Sequence, residues 1–209
     1  MIIEKQYCCF VEAIPNRVCD DVLKWANYLR SQNKEKIGFV EGITKEDVEK
    51  SNKAKNNLLA NRNSNVIWMD SAWLFKELVP FVKKANIEAK WNFDWEFSEQ
   101  LQFTKYEPGQ HYEWHQDAFT YDRKLNGKMM NRKLSVALSL SNPDEYEGGE
   151  LEFDFLNKGK GVPNIRVCKE VKTKGSLVVF PSFSWHRVTP VTRGTRHSLV
   201  MWSNGVPWR

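Results

Sequence analysis

The chain has 209 residues, which at roughly 150 residues per domain accommodates one large domain or two small ones. Lysine and arginine (31) exceed aspartate and glutamate (26) by five, a mild excess spread along the whole length that tolerates an anionic partner without demanding one. With 41% hydrophobic and 27% charged residues the composition excludes a disordered chain, no apolar run approaches the ~18 residues of a membrane span, and Glu4, Lys5 and Gln6 stand where a signal peptide needs an apolar stretch. A soluble, cytoplasmic chain with no membrane contact is the expectation.

In chain order, residues 16–31 place Val18, Val22, Trp25, Ala26 and Leu29 on one helical face, with Pro15 just before as a start signal. Residues 33–64 are rich in Lys, Asn and Glu; apart from a short helix from Thr44 they read as an exposed, mobile excursion. A further helix starts at Ser71 and carries Leu74, Leu78, Val82 and Ala85 at helical spacing, with Pro80 expected to kink it.

After Trp91 the period changes to two. Leu101 and Phe103 alternate with polar neighbours, and Leu134, Val136, Leu138 and Leu140 alternate with Ser135, Ala137 and Ser139. Leu151, Phe153 and Phe155 repeat the pattern, as do Ile165 with Val167, residues 177–180, and Leu199 with Met201. Gly148-Gly149, residues 159–163 and Lys174-Gly175 punctuate the runs. Short strands without helical crossovers argue for a mainly β fold with flanking α: a jelly roll, or double-stranded β-helix, with N-terminal helices packed outside. One domain over 1–209 is expected, with helical support over 1–97 and the jelly-roll core over 98–209.

The four cysteines (Cys8, Cys9, Cys19, Cys168) lack Cys-x-x-Cys or zinc-finger spacing and read as buried, reduced thiols. The four histidines (His111, His115, His186, His197) are few enough for their spacing to matter. His115-Gln116-Asp117 sits near a strand end, where residues i and i+2 share a face, so one metal ion can take both an imidazole and a carboxylate. A third ligand is needed, and His186, 69 residues after Asp117 and just past an apolar strand, is the candidate. Two His and one carboxylate on a β-scaffold make the facial triad of mononuclear iron(II) oxygenases; a zinc hydrolase uses the same three ligands with a water in the fourth position. Ten residues after His186, Arg196 and Ser198 share one strand face, a guanidinium fork and a hydroxyl suited to gripping a carboxylate. A dicarboxylate could meet the metal at one end and Arg196 at the other. His111 and His197 are not placed as ligands, the latter because it lies on the strand face opposite Arg196.

The stretch from Leu101 through Tyr106-Glu-Pro-Gly-Gln-His-Tyr-Glu-Trp to His115-Gln-Asp117 resembles the metal-binding segment of the iron(II)/2-oxoglutarate-dependent dioxygenases of the prolyl-4-hydroxylase superfamily. Asn142-Pro-Asp-Glu-Tyr-Glu-Gly-Gly-Glu-Leu151 and His186-Arg-Val-Thr-Pro-Val-Thr-Arg-Gly-Thr-Arg196 resemble its bacterial branch, the PKHD-type hydroxylases. The resemblance covers about residues 98–204. It implies that His115, Asp117 and His186 bind iron(II), that Arg196 pairs with the distal carboxylate of 2-oxoglutarate with Tyr106 reaching the same group, and that Ser198 assists. It also implies dioxygen as co-substrate, ascorbate as a candidate reductant, and hydroxylation of a C–H bond coupled to decarboxylation of 2-oxoglutarate to succinate and carbon dioxide. A peptidyl prolyl or other protein side chain is the expected substrate. The chain departs from the animal collagen-modifying enzymes, which carry Lys at the position of Arg196, and its Asp117 disfavours the halogenase variation. A protonated ligand histidine could not bind metal, so activity is expected to fail at acid pH.

Trp114 and Trp185 each precede a ligand and are expected to face away from the metal as packing residues. Tyr112, Phe119 and Tyr121 are candidates for the substrate entrance, and residues 118–132 for a lid or an ordinary hairpin connection. Basic residues are dense in 123–133, 158–174 and 187–196. Were they to converge on the pocket, nucleic acid would become an attractive substrate; a solvated rim is the other meaning. Two alternatives therefore accompany the main reading: the same cofactors acting on nucleic acid or a free small molecule, and a non-catalytic metal-binding β-sandwich that serves as an interaction module.

Overall fold

The computed structural model describes residues 5–41, 43–155 and 164–208. In chain order the elements are β1 (Cys8–Phe10), α1 (Asn16–Ser31), β2 (Lys36–Ile37), α2 (Lys45–Lys50), α3 (Asn52–Asn61), β3 (Arg62–Asn63), β4 (Asn65–Met69), α4 (Ala72–Glu88), β5 (Phe97–Ser98), β6 (Leu101–Tyr106) and β7 (His111–His115). Then follow β8 (Arg123–Leu125), β9 (Lys128–Ser139), β10 (Tyr146–Gly148), β11 (Leu151–Asp154), β12 (Ile165–Val167), a 3-10 turn (Lys169–Val171), β13 (Leu177–Pro181), β14 (Trp185–Val188), β15 (Val191–Gly194) and β16 (Arg196–Gly205).

Among the described residues the strands form a large sheet in the order β1-β13-β9-β16-β6-β4-β2, with β5 and β8 attached, and a smaller sheet in the order β12-β11-β14-β7-β3. All pairings are antiparallel. The two sheets make the double-stranded β-helix, and the N-terminal helices lie outside it, as expected.

Alternation divides the large sheet into two working faces. Leu134, Val136 and Leu138 of β9, Leu199 and Met201 of β16, Leu101 and Phe103 of β6, and Leu177 and Val179 of β13 join Val18, Val22 and Ala26 of α1 and Leu74, Leu78, Val82 and Ala85 of α4 in one buried cluster. Residues of the opposite parity on these strands, including Val178, Phe180 and Tyr106, face the small sheet and pack with Leu151, Phe153 and Val188. The site residues lie on this inner face. Helix burial on the outer face is what fixes the register, since a one-residue slip would exchange the two sets.

Helix α1 has the predicted bounds. Helix α4 starts after Ser71 and runs to Glu88 through Pro80. Pro80 lies on the exposed face, where the carbonyl that loses its partner is open to water, while the buried stripe holds both halves of the helix on the sheet.

The exposed excursion over 33–64 needs correction. It contains the helix from Thr44, held by a capping box in which Thr44 Oγ1 accepts from the Asp47 N–H and Asp47 accepts from the Thr44 N–H. It also contains α3, whose Leu58 is fully buried, and β3, whose Arg62 is buried in the site. Strand β4 then joins the large sheet beside β6. Residues 118–132 take the hairpin form: β8 and β9 are joined by Asn126-Gly127, both at positive φ (+49° and +80°), the backbone that a two-residue hairpin turn requires. The punctuation expected over residues 159–163 lies outside the described residues.

Candidate active site

His115 ends β7 and pairs directly with His186 of β14, so the two imidazoles meet across the small sheet with ring centroids 4.1 Å apart. Asp117 follows where β7 gives way to a loop. That loop is pinned: the N–H groups of Asp117 and Ala118 both donate to the Ser182 carbonyl at 2.8 Å, and the Gln116 side chain donates to the Phe183 carbonyl. His115 Nε2 lies 3.7 Å from Asp117 Oδ1, and His186 Nε2 lies 3.5 Å from Asp117 Oδ2. One donor atom from each residue falls within 4.8 Å of the others, close enough for one ion.

The proton positions suit such an ion. His115 Nδ1 is 2.8 Å from the Glu113 carbonyl and His186 Nδ1 is 2.9 Å from the Ser184 carbonyl. A carbonyl only accepts, so both Nδ1 atoms carry the hydrogen and both Nε2 lone pairs are left facing Asp117. Burial, reinforced by the neighbouring His186, holds His115 well below the ordinary imidazole pKa, so it stays neutral. Burial also works to raise the Asp117 carboxyl, but His186, His115, Arg132 and a hydrogen bond from Ser135 outweigh it and leave it below its usual value. Two imidazoles and one carboxylate are the donor set of a facial triad, and the set fits iron.

The other three predicted residues join the same inner cavity, which His115, Asp117, His186, Tyr106, Arg196 and Ser198 all line. Arg196 pairs directly with Tyr106 across β16 and β6, its guanidinium carbon 5.5 Å from the phenol ring, and its Nη1 donates to Ser198 Oγ at 3.3 Å. Arg196 is buried, yet among the described residues no carboxylate pairs with it. A buried cation without a counter-charge is costly, so the cavity fits an anion such as a carboxylate. The Gly-Gly pair of the sequence makes room for this side chain. A Cβ on Gly149 would sit 2.9 Å from Arg196 Cδ, at a backbone φ of +63°. Tyr106 is raised above the usual phenol range by burial and stays protonated.

Two residues in this cavity, Arg62 and Trp202, were not singled out from the sequence. Arg62 is buried and hydrogen-bonds Ser64, the Phe39 carbonyl and Gln102 at 3.0, 3.0 and 2.6 Å. Its guanidinium lies 4.5 Å above the ring of Tyr112, which in turn stacks on His115. Trp202 lines both the inner cavity and an outer one, and among the described residues its buried indole N–H finds no acceptor.

The outer cavity, of about 570 Å³, opens from the triad between Phe39, Trp68, Tyr112, Phe119 and Trp202. Trp114 and Trp185 also line it and do not join the buried core, a departure from their expected packing role. Tyr121 is largely exposed and outside that wall. His111 binds the Gly109 and Ala60 carbonyls, and His197 stacks on Phe103, both away from the triad. Among the described residues, several members of the basic runs are matched by carboxylates. Arg123 pairs with Glu41, Arg132 with Glu99, Lys128 with Glu96, Arg187 with Glu152, Arg193 with Glu147 and Lys174 with Asp20.

Among the described residues no helix is long and apolar enough to cross a membrane. The family model of the 2OG-Fe(II) oxygenase superfamily matches residues 101–204, a span that holds all six predicted site residues. A PKHD-type hydroxylase from Xanthomonas axonopodis pv. citri is 36% identical over 106 residues, 50% of this chain and 43% of that protein. The match thus spans less than half the length of that relative. A prolyl-4-hydroxylase from Pseudomonas putida superposes with a TM-score of 0.65 at 18% identity, covering 96% of this chain and 92% of that one. A Trichoplax adhaerens prolyl hydroxylase, solved with a hypoxia inducible factor peptide fragment, gives a TM-score of 0.61 at 16% identity, covering 96% and 84%. These two likenesses are of fold. With the triad, the buried arginine and the matched span together, the chain belongs to the 2OG-Fe(II) oxygenase superfamily.

Proposed function

We propose that the chain is an iron(II)- and 2-oxoglutarate-dependent hydroxylase. The observation that carries the reading is the convergence of His115, Asp117 and His186 within 4.8 Å in a cavity that also holds the buried Arg196, which pairs with no carboxylate among the described residues. In it, His115, Asp117 and His186 hold the metal, and Arg196 with Tyr106 and Ser198 holds the far carboxylate of 2-oxoglutarate. Iron(II), when bound, supplies the redox chemistry that couples decarboxylation of 2-oxoglutarate to succinate and carbon dioxide with oxygenation of a C–H bond by dioxygen.

The protein's own contribution is positional. The Glu113 and Ser184 carbonyls hold the imidazole tautomers that leave Nε2 open. The buried Arg196 orients one end of the co-substrate, and the phenol of Tyr106, protonated at neutral pH, can donate to the same carboxylate. The aromatic wall of the outer cavity excludes water and presents the substrate C–H bond to the metal side. We assign this wall to a peptidyl prolyl or other protein side chain. Its volume and aromatic lining support that, as do the prolyl hydroxylases of like fold, one of them solved with a peptide fragment. Residues 1–97 are proposed to act as support within one domain, ascorbate to keep the iron reduced, and the cytoplasm to be the compartment.

The test is succinate formation from 2-oxoglutarate with iron(II) and dioxygen, run with a panel of peptides, nucleotides and amino acids and read by mass spectrometry for one added oxygen. Hydroxylated peptide with matching succinate is expected. No succinate with any panel member would make the chain a metal-binding interaction module.

A further inference from the structure

Cys8 and Cys9 are consecutive on β1, so their side chains leave opposite faces of the large sheet. Cys8 packs on the helix side, whereas Cys9 packs on the inner side with Tyr7, Leu151, Phe153 and Val178. The inner side also holds Cys168, which follows β12 at once and donates its N–H to the Leu151 carbonyl. The two sulfurs are 3.3 Å apart, although 159 positions separate the residues. Cys19 is buried in α1, within the helix-side cluster.

We propose that Cys9 and Cys168 form a reversible disulfide that staples the two sheets together. The position in the fold gives the bond its effect. β1 is the edge of the large sheet and β12 the edge of the small one, so the cross-link closes the sandwich at the margin where both end. Cys8, one residue away, is directed to the other face and does not compete. The oxidant is a low-molecular-weight disulfide. The hydrogen bond with Cys168 and burial push the Cys9 thiol well above its ordinary range, so Cys9, the more exposed of the two, attacks that disulfide slowly through a minor thiolate; a sulfur–sulfur bond forms and one thiol leaves. Cys168 then attacks Cys9 Sγ, the protein disulfide forms, and the second thiol leaves. Two protein thiols are oxidised, one small disulfide is reduced to two thiols, and both protons go with them.

The experiment treats the full chain with glutathione disulfide at pH 8, quenches it by alkylation, and maps it by non-reducing proteolysis and mass spectrometry. The expected result is one linked peptide pair, Cys9 with Cys168, about 2 Da below the sum of the reduced peptides. The oxidised protein should melt roughly 5–10 °C higher, because a cross-link over so long a loop constrains the unfolded chain, and a reducing thiol should reverse the shift. C168S and C9S each serve, so a folding defect in one does not remove the test. Either variant should lose the linked pair and the melting shift, and C168S should stop at a glutathione adduct on Cys9. Linkage through Cys8 or Cys19, or a bond that leaves the melting point unchanged, would overturn the proposal. So would thiols that resist glutathione disulfide until a chelator is added, since Glu170 stands close enough to complete a three-donor metal site with this pair.

Discussion

The ring of Tyr112 lies flat on the ring of His115, with centroids 3.5 Å apart and planes 9° from parallel. In a regular strand residues i and i+3 face opposite sides. Here His186 and Val188 of β14 pair with His115 and Tyr112 of β7, two steps against three, so β7 carries a bulge that turns Tyr112 inward. Arg62 closes the stack from the other side. His115 is therefore oriented at Nδ1 by a carbonyl and on its face by an aromatic ring. Tyr112→Ala is expected to weaken metal binding roughly tenfold, while Tyr112→Phe keeps it near the wild-type value. Anaerobic titration with cobalt(II), followed by visible absorption, reads both; equal loss in the two would assign the effect to the hydroxyl instead of the ring.

Arg196 is a buried cation of the inner cavity that hydrogen-bonds the Ser198 hydroxyl and, among the described residues, pairs with no carboxylate. Arg196→Ala should raise the 2-oxoglutarate concentration needed for half-maximal turnover by about 10- to 100-fold, the loss of one charge-assisted contact, and leave the metal requirement within about twofold. Arg196→Lys should recover part of the loss, since a point charge replaces the fork. Metal and co-substrate requirements that rise together would place the clamp elsewhere. Asp117→Ala, in contrast, should abolish metal-dependent turnover.

The jelly-roll half was legible because β9 and β16 alternate cleanly: their outer faces must be aliphatic to meet α1 and α4, while Ala137, Arg196 and Ser198 on the inner face stay small or polar to make the cavity. The triad and Arg196 were legible for the same reason, since each sits at a parity the strand dictates. Arg62 was not. Its role depends on β4 pairing with β6, which brings Gln102 within 2.6 Å across 40 positions, and its own neighbourhood is polar. Helix α3 was hidden by composition: it buries only Leu58, so the cap at Ser51 carries the signal that periodicity lacks, whereas α2, the short helix expected from Thr44, buries no side chain and rests on its capping box. The inward turn of Tyr112 was hidden by the bulge, which strict alternation cannot register.

Trp202 presents a buried indole N–H that finds no acceptor among the described residues, at the junction of the inner and outer cavities and beside Arg132, whose guanidinium carbon is 3.9 Å from its ring. An unmet buried donor costs stability unless a ligand supplies an acceptor. Trp202→Phe removes the donor and retains an aromatic ring, so the folded state should lose no more than about 1 kcal/mol in urea unfolding. The KM for the prime substrate should rise about fivefold or more with kcat nearly unchanged, the value of one hydrogen bond. An unchanged KM would mean that the donor is not used in substrate binding.

His197 supplies a pH dependence separate from the metal site. Burial, with Arg30 and Lys105 adding to it, lowers its pKa to about 4 from an ordinary 6.5, and its ring stacks on Phe103 beside Ser141. Between these values the unfolded chain takes up a proton that the folded chain refuses. The stabilisation is therefore complete above pH 6.5, declines as pH falls, and is gone below about pH 4. Allowing for the part of the ring that solvent reaches, the decline attributable to this residue is on the order of 2 kcal/mol. His197→Gln keeps a polar group near Ser141 and cannot titrate. Urea unfolding at pH 7, 5.5 and 4.5 should show the variant's stability falling less than the wild type's by about that amount, with the gap opening below pH 6.5. Parallel curves for the two proteins would show that His197 takes up its proton equally in both states.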